Sequence, residues 1–252
     1  MGSIDDDFAS VEKDAWRVID PGRWPVVRVD GRSFHTYTRN FEKPFDPKIH
    51  NFMIETAKYL LETTPAWLAY TQSDEITIIL PSNTDYFNRR VGKLISTIAA
   101  GAAAAFTKTS GDLVSFDGRV IGYTDDYLLS NLVWRYLDAL RNGISSYAYW
   151  TLRKHGMGKK AANNFLNGMN SGDKIQFLEK RGVNYPALPD WQLYGTFVHY
   201  TPYEKEGFNP LVQEKVITKR QKVAVSAAPS SLVDFREQVV GWIEAQKALE
   251  EE

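Results

Sequence analysis

The feature that most constrains this chain is the run Val26-Val27-Arg28-Val29-Asp30-Gly31-Arg32-Ser33-Phe34-His35. Its β-branched first half predicts a buried strand, because such side chains suit a pleated, packed surface. The strand then ends abruptly in an acid, a glycine and a cluster of hydrogen-bonding side chains. An acid at a strand end is easily hydrated and well placed to hold a cation. Gly31 lets the backbone turn there and brings its own carbonyl close to whatever the acid binds. Taken alone, such a segment reads more simply as a strand running into a solvated turn. A second acidic turn downstream, Ser73-Asp74-Glu75, changes the balance.

The elements between and around these turns follow a recognisable order. Asp46-Pro47 supplies an N-cap and a proline at the first helical position, and Ile49, Phe52, Met53, Thr56, Tyr59 and Leu60 recur at helical spacing up to Pro65. Trp67 to Tyr70 and Ile76 to Leu80 read as short strands on either side of a polar stretch of hairpin-turn composition. A second helix is expected from Thr84 or Asp85 through Phe106. On it Phe87, Val91, Leu94, Ile95 and Ile98 share one side, and Arg89, Arg90 and Lys93 share another. After Gly111-Asp112, residues 114–123 are strand-like again.

Strand, helix, strand, strand, helix, strand is the split βαβ pattern of ferredoxin-like domains. The predicted fold class is therefore α+β. A ferredoxin-like palm with an N-terminal lead-in occupies residues 1–124, and a helical and β-arm extension over residues 125–252 packs on it as one compact unit. A right-handed crossover makes the first two strands parallel and puts the third between them. Asp30 and Asp74 then project from neighbouring strands at the same sheet edge. Two carboxylates so close raise one another's pKa unless a cation sits between them.

The extension is mostly helical: residues 127–155, with Asn142-Gly143 expected to kink or end the helix, then 159–166 and 173–180. A rigid loop spans residues 184–191, and residues 194–201 and 214–225 form a β pair or arm. A last amphipathic helix covers residues 232–249.

Composition narrows the chemistry. There is no cysteine, so disulfides, thiolate metal sites and cysteine nucleophiles are excluded. The four histidines lack zinc-ligand spacing, which leaves carboxylate and carbonyl oxygen and hence magnesium-like ions. A formal net charge of −1 means that any polyanion must meet a local basic patch. No apolar run reaches membrane-spanning length and residues 1–7 are acidic, so a cytoplasmic protein without membrane attachment is expected. No P-loop lysine motif and no serine triad is found.

What remains converges on one edge of the sheet. Asp30 and Asp74 can hold divalent cations, with the Gly31 carbonyl as a further ligand. Arg32, Ser33, Phe34, His35 and Ser73 flank the two acids and are placed to contact a nucleotide. Arg89, Arg90 and Lys93 form either a triphosphate clamp or a solvated helix surface. His35 has the alternative of an ordinary satisfied histidine. The arrangement reads as a palm-type, metal-dependent nucleotidyl or phosphoryl transfer site.

At this point the residues carry a family resemblance. Residues 27–35, Phe41-Glu42-Lys43-Pro44, Tyr70-Thr71-Gln72-Ser73-Asp74-Glu75, Phe87 to Lys93, Phe116-Asp117-Gly118-Arg119-Val120 and Trp134-Arg135 through Asp138 occur in the order seen in tRNA(His) guanylyltransferases and their like-proteins. Asp173-Lys174 and Val183-Asn184-Tyr185 extend the match. The resemblance covers roughly residues 25–200. It implies an enzyme that adds nucleotides to RNA 5′ ends in the 3′-to-5′ direction. Asp30, Gly31 and Asp74 are then expected to bind two Mg²⁺ ions, and residues 30–35 with Ser73 and Asp74 to contact the nucleoside triphosphate, GTP or ATP. Lys43, Arg89, Arg90 and Lys93 are expected on phosphates. Asn142, Lys174, Lys219 and Arg220 are weaker candidates for RNA contact. The resemblance also implies a homotetramer with tRNA spanning subunits.

One departure bears on substrate. Where eukaryotic guanylyltransferases carry His-Ile-Asn-Asn in the long helix, this chain has Leu140-Arg141-Asn142-Gly143. The missing histidine favours the like-protein branch, which repairs truncated tRNA 5′ ends by templated addition, over dedicated guanylate addition to tRNA(His). A catalytically silent RNA-binding palm and a nucleotide cyclase are the remaining rivals.

Overall fold

A computed structural model describes residues 16–209 and 214–251. Most of the expected N-terminal lead-in and the connection within the β arm therefore lie outside the described residues. The elements are β1 (Trp24–Gly31), a one-turn α1 (Phe34–Tyr37), α2 (Pro47–Thr63), β2 (Leu68–Gln72), β3 (Glu75–Ile79), α3 (Val91–Ser110) and β4 (Phe116–Tyr123). The chain continues through α4 (Asp125–Lys154), α5 (Lys159–Leu166), α6 (Ser171–Lys180), α7 (Asp190–Leu193), β5 (Thr196–Asn209), β6 (Glu214–Ala227) and α8 (Leu232–Glu251).

Local chemistry accounts for most of these boundaries. Asp46 caps α2 by accepting a hydrogen bond from the Lys48 amide at 2.7 Å, with Pro47 inside the first turn. Asn170 and Asp173 form a capping box, so α6 starts at Ser171. The β2–β3 turn is tight because Ser73 takes a left-handed backbone, φ 57°.

The strands form one sheet in the order β4-β1-β3-β2-β5-β6, every neighbouring pair antiparallel. β3 lies between β1 and β2, as the split βαβ pattern predicts. Along β1, Val27 and Val29 enter one core while Trp24 and Val26 enter another. The first core is closed by α2 and α3 through residues such as Met53, Leu60, Leu94, Ile98 and Phe106. The second is closed by the C-terminal half, through Leu128, Leu132 and Tyr136 of α4 and Phe235 and Val239 of α8. A sheet apolar on both faces needs a layer on each, and the extension supplies the second. β2 pairs with β5 only from Leu68 to Thr71, so the β5–β6 hairpin beyond Tyr200 projects as an arm.

Two expectations are corrected. Asn142-Gly143 neither kinks nor ends α4, which runs unbroken for 30 residues. Glycine is needed there for close approach: a Cβ on Gly143 would lie 2.9 Å from the Gln192 carbonyl oxygen and 3.0 Å from the Leu193 side chain. The helix expected from Thr84 or Asp85 begins only at Val91. Phe87, Asn88 and Arg89 have φ of 51°, 51° and 58°, a left-handed turn that costs L-residues about 1–2 kcal/mol each.

Arg89 holds this turn in place and so does not share a helical face with Arg90 and Lys93. It is buried, donating from Nε to the Ile19 carbonyl at 3.0 Å and from Nη1 to the Ser82 and Thr84 carbonyls at 2.9 Å. Its Nη2 donates to the carbonyls of Asp20 at 2.7 Å and Arg23 at 2.5 Å. Replacing Arg89 with methionine leaves these carbonyls without a donor and should cost about 3 kcal/mol or more. Urea unfolding should show a lowered midpoint, with Arg89→Lys recovering only part of the loss because an ammonium has three donors against five.

Candidate active site

The site is built where β1 ends and β3 begins. Asp30 pairs in register with Glu75, and the Gly31 amide donates to the Asp74 carbonyl at 2.9 Å. Both acids therefore stand at one sheet edge, and both line a cleft of about 650 Å³ between the palm and α4 to α6. The opposite wall carries Asn142, Ser145 and Trp150 of α4, Asn163 of α5 and Lys174 of α6.

The electrostatics of the pair are those of two carboxylates held close together in partial burial. Asp74 is raised above the ordinary carboxylate range by burial and then by the charge of Asp30. Its own amide, the Ser73 hydroxyl and His35 oppose that rise only in part. Asp30 is raised by burial and by Asp117, its register partner on β4, against the pull of Arg28, Arg119 and Arg135.

The other expected site residues divide into groups. Gly31 turns where a side chain would overlap the Phe34 ring. Phe34 itself is a core residue, 3 % exposed, with its ring 5.2 Å from that of Phe106 and 5.3 Å from that of Phe116. Its ring is thus committed to the core, which leaves the backbone of residue 34 for any contact with a nucleotide. Arg32, Ser33 and His35 are exposed around it. Lys43 donates from Nζ to the Thr38 carbonyl at 2.6 Å and lies 5.6 Å from the Trp150 ring centroid, in a small recess shared with Ser73. Burial lowers its pKa.

Asn142 and Lys174 fall on the cleft wall; Asn142 donates to Asp138 at 3.2 Å and Lys174 to Ser145 at 3.0 Å. The expected basic clamp is not brought to the acids. Arg89 touches Arg23, just before β1 begins, whereas Asp30 lies near its far end, about 20 Å away at the strand rise. Arg90 pairs with Val18 and rests over the Trp16 ring at 4.4 Å, and Lys93 follows it at the start of α3. Lys219 and Arg220 sit on the arm opposite Glu204 and Tyr203, also outside the cleft.

Sequence reasoning left out a buried ion-pair chain beside the acids. Arg135 of α4 places Nε 2.8 Å from Glu75 Oε1 and donates from Nη2 to Oε2 at 2.9 Å; Arg28 Nε lies 3.5 Å from Glu75. Arg135 also reaches Asp138 at 3.0 Å, which in turn holds Arg141 at 3.0 Å. The available signal was Arg28 itself, since a cation inside a valine-rich buried strand requires a partner.

The donor set suits magnesium. Among the described residues no group of three His, Asp or Glu side chains is gathered as a metal cage. Two carboxylates and a nearby backbone carbonyl leave the remaining positions to water and phosphate oxygen, which is how Mg²⁺ is usually held.

Residues 7–124 match the family model described as "Thg1: tRNAHis guanylyltransferase", and residues 125–238 match "Thg1 C terminal domain". The tRNA(His) guanylyltransferase of Schizosaccharomyces pombe is 30 % identical over 228 residues, which are 85 % of this chain and 87 % of that one. The chain belongs to the tRNA(His) guanylyltransferase family. This family member is also 31 % identical to tRNA(His) guanylyltransferase 2 of Arabidopsis thaliana over 203 residues, but spans only 38 % of that longer protein. A solved bacterial tRNA(His) guanylyltransferase-like protein in complex with ATP superposes with a TM-score of 0.74 at 29 % identity, covering 95 % of this chain and 99 % of that one. The Saccharomyces cerevisiae tRNA(His) guanylyltransferase superposes at 0.69, covering 76 % and 92 %.

The raised carboxylates of this family member set a sign for its stability. A carboxyl whose pKa is higher folded than unfolded costs stability in full above the folded value, and the cost shrinks as pH falls below it and is gone at the unfolded value. In EDTA at pH 7.5, Asp74→Asn should therefore melt higher than wild type. Thermal melts should show the gain shrinking as pH falls toward the ordinary aspartate value of 3.8. Added Mg²⁺ should raise the melting temperature of wild type and not of Asp74→Asn.

Proposed function

We propose that this protein is a Mg²⁺-dependent nucleotidyltransferase that extends tRNA 5′ ends in the 3′-to-5′ direction, copying the opposing strand to repair truncated ends. The observation that carries this reading is the Asp30–Asp74 pair lining a nucleotide-sized cleft. The 3′-hydroxyl of the incoming nucleotide bonds to the α-phosphorus of a 5′-triphosphorylated end as the bond to the β-phosphate breaks and pyrophosphate leaves. A 5′-monophosphate end is first activated: its phosphate oxygen bonds to the α-phosphorus of a nucleoside triphosphate as pyrophosphate leaves, and the 3′-hydroxyl then displaces the nucleoside monophosphate from that end. Asp30, Asp74 and the Gly31 carbonyl would hold magnesium, which would supply activation of the hydroxyl and neutralise charge on the leaving group.

The chain's own residues orient the reactants. Ser73 and His35 stand beside Asp74, Lys43 offers a half-buried cation from the adjoining recess, and Trp150 presents an aromatic face on the far wall. Palm and extension act as one unit, since the cleft is lined from both. Arg90, Lys93, Lys219 and Arg220 serve tRNA contacts in a homotetramer, where patches from separate copies form one basic path.

Templated repair is supported by Leu140-Arg141-Asn142-Gly143 and by amide and hydroxyl side chains on the wall, which accept and donate alike and so suit more than one base. The solved bacterial like-proteins were captured with ATP and with GTP. A second reading, guanylate addition to tRNA(His), is favoured by the names of the fungal and plant relatives.

The test uses a 3′-labelled tRNA lacking its first 5′ nucleotide, Mg²⁺ and all four nucleoside triphosphates, scored by gel. Extension should follow the opposing base, and Asp30→Ala and Asp74→Ala should each reduce it by about a thousandfold, the several kcal/mol expected of lost metal ligands. Guanylate alone on tRNA(His) alone selects the second reading. No addition to either RNA overturns both.

A further inference from the structure

Glu75 follows Asp74 in the chain and is one of the two acids in register with Asp30, the other being Asp117, yet its carboxylate is already engaged. It faces Asp30 across the β1–β3 ladder, where opposed residues share a sheet face. Two guanidiniums converge on it, Arg135 at 2.8 Å and 2.9 Å and Arg28 at 3.5 Å. Both are largely buried, with side chains 12 % and 16 % exposed, and Trp134 lies over both, 4.7 Å from Arg135 and 5.8 Å from Arg28. A guanidinium buried to this degree is costly without a counter-charge. Arg28 is two residues from Asp30 on the same face of β1, and both arginines already act on Asp30 electrostatically. Without Glu75, Arg135 keeps Asp138 at 3.0 Å but loses the partner of its Nε, Arg28 loses its one ion pair among the described residues, and Asp30 is the carboxylate on the same face that both guanidiniums already act on. A guanidinium seated on that carboxylate would have to be displaced before a cation could bind.

We propose that Glu75 is a positioning residue that occupies Arg28 and Arg135 and so keeps Asp30 open to a divalent cation, and that it is not itself a ligand of that cation. This rests on the reading that Asp30 and Asp74 hold the metal. Glu75 also hands Arg135 on to Asp138, at 3.0 Å, and through it fixes Asn142, at 3.2 Å, so the same carboxylate sets the floor of the cleft.

The experiment is Mn²⁺ binding to the full chain, read by electron paramagnetic resonance with no substrate present, with a thermal melt in EDTA for each variant. Wild type should bind, and Asp74→Asn should not. Glu75→Gln should bind roughly tenfold more weakly, the effect of one competing ion pair. Adding Arg28→Met and Arg135→Met to Glu75→Gln should restore affinity to within about threefold of wild type, because the competitors are gone. Arg135→Met alone, with Glu75 retained, should bind within about threefold of wild type and serves should the Glu75 variants not fold. A triple variant as weak as Glu75→Gln would make Glu75 a ligand and overturn the proposal. Wild-type affinity in Glu75→Gln, or a tenfold loss in Arg135→Met, would also overturn it. Mn²⁺ binding that ignores Asp74→Asn would instead remove the metal reading beneath it.

Discussion

The site depends on one backbone hydrogen bond, from the Gly31 amide to the Asp74 carbonyl. It closes the end of the β1–β3 ladder and sets the register in which Asp30 faces Glu75. Side chains alternate along a strand, so a slip of one residue would turn Asp30 to the opposite face and dissolve the carboxylate pair. The register is guarded from below by packing. The Phe34 ring lies where a Gly31 side chain would go and joins Phe106 and Phe116 in the core, so the apolar cluster and the polar edge hold each other in place.

That edge is costly to assemble. Three raised carboxylates, Asp30, Asp74 and the largely buried Glu75, stand with two largely buried arginines beside the second core. They are tolerated because both faces of the sheet are covered and the charges alternate in sign from Arg28 through Glu75 and Arg135 to Asp138. The extension does two jobs with one helix. Leu128, Leu132 and Tyr136 of α4 bury the sheet, while Arg135, Asp138 and Asn142 on another side of it line the cleft.

The palm was legible because its signals are local and agree with each other. A β-branched run, a proline-led helix and a polar hairpin turn each specify one element, and a right-handed crossover leaves a single way to assemble them. The carboxylate pair followed from that topology. Arg89 was not legible: its neighbours Val91 and Leu94 carry helical spacing, and nothing in the residue type announces that its guanidinium binds carbonyls from Ile19 to Thr84. The core role of the Phe34 ring was hidden for the opposite reason, since the residue sits among polar turn residues. The pairing of Glu75 with Arg135 escaped notice because it joins β3 to a helix 60 residues later, a distance that periodicity does not span. Gly143 looked like a helix breaker because its role, close approach to Gln192, is visible only once α7 is in place.

Gly143 also ties two distant parts of the chain together. The Gln192 carbonyl and the Leu193 backbone occupy the volume that a side chain at residue 143 would fill. A larger residue there would drive into the α7 backbone, and drawing α7 away while keeping the glycine would leave a void. The helix and the short turn that leans on it can therefore change only together, so a substitution at 143 is to be judged with the residues at 192 and 193 rather than alone.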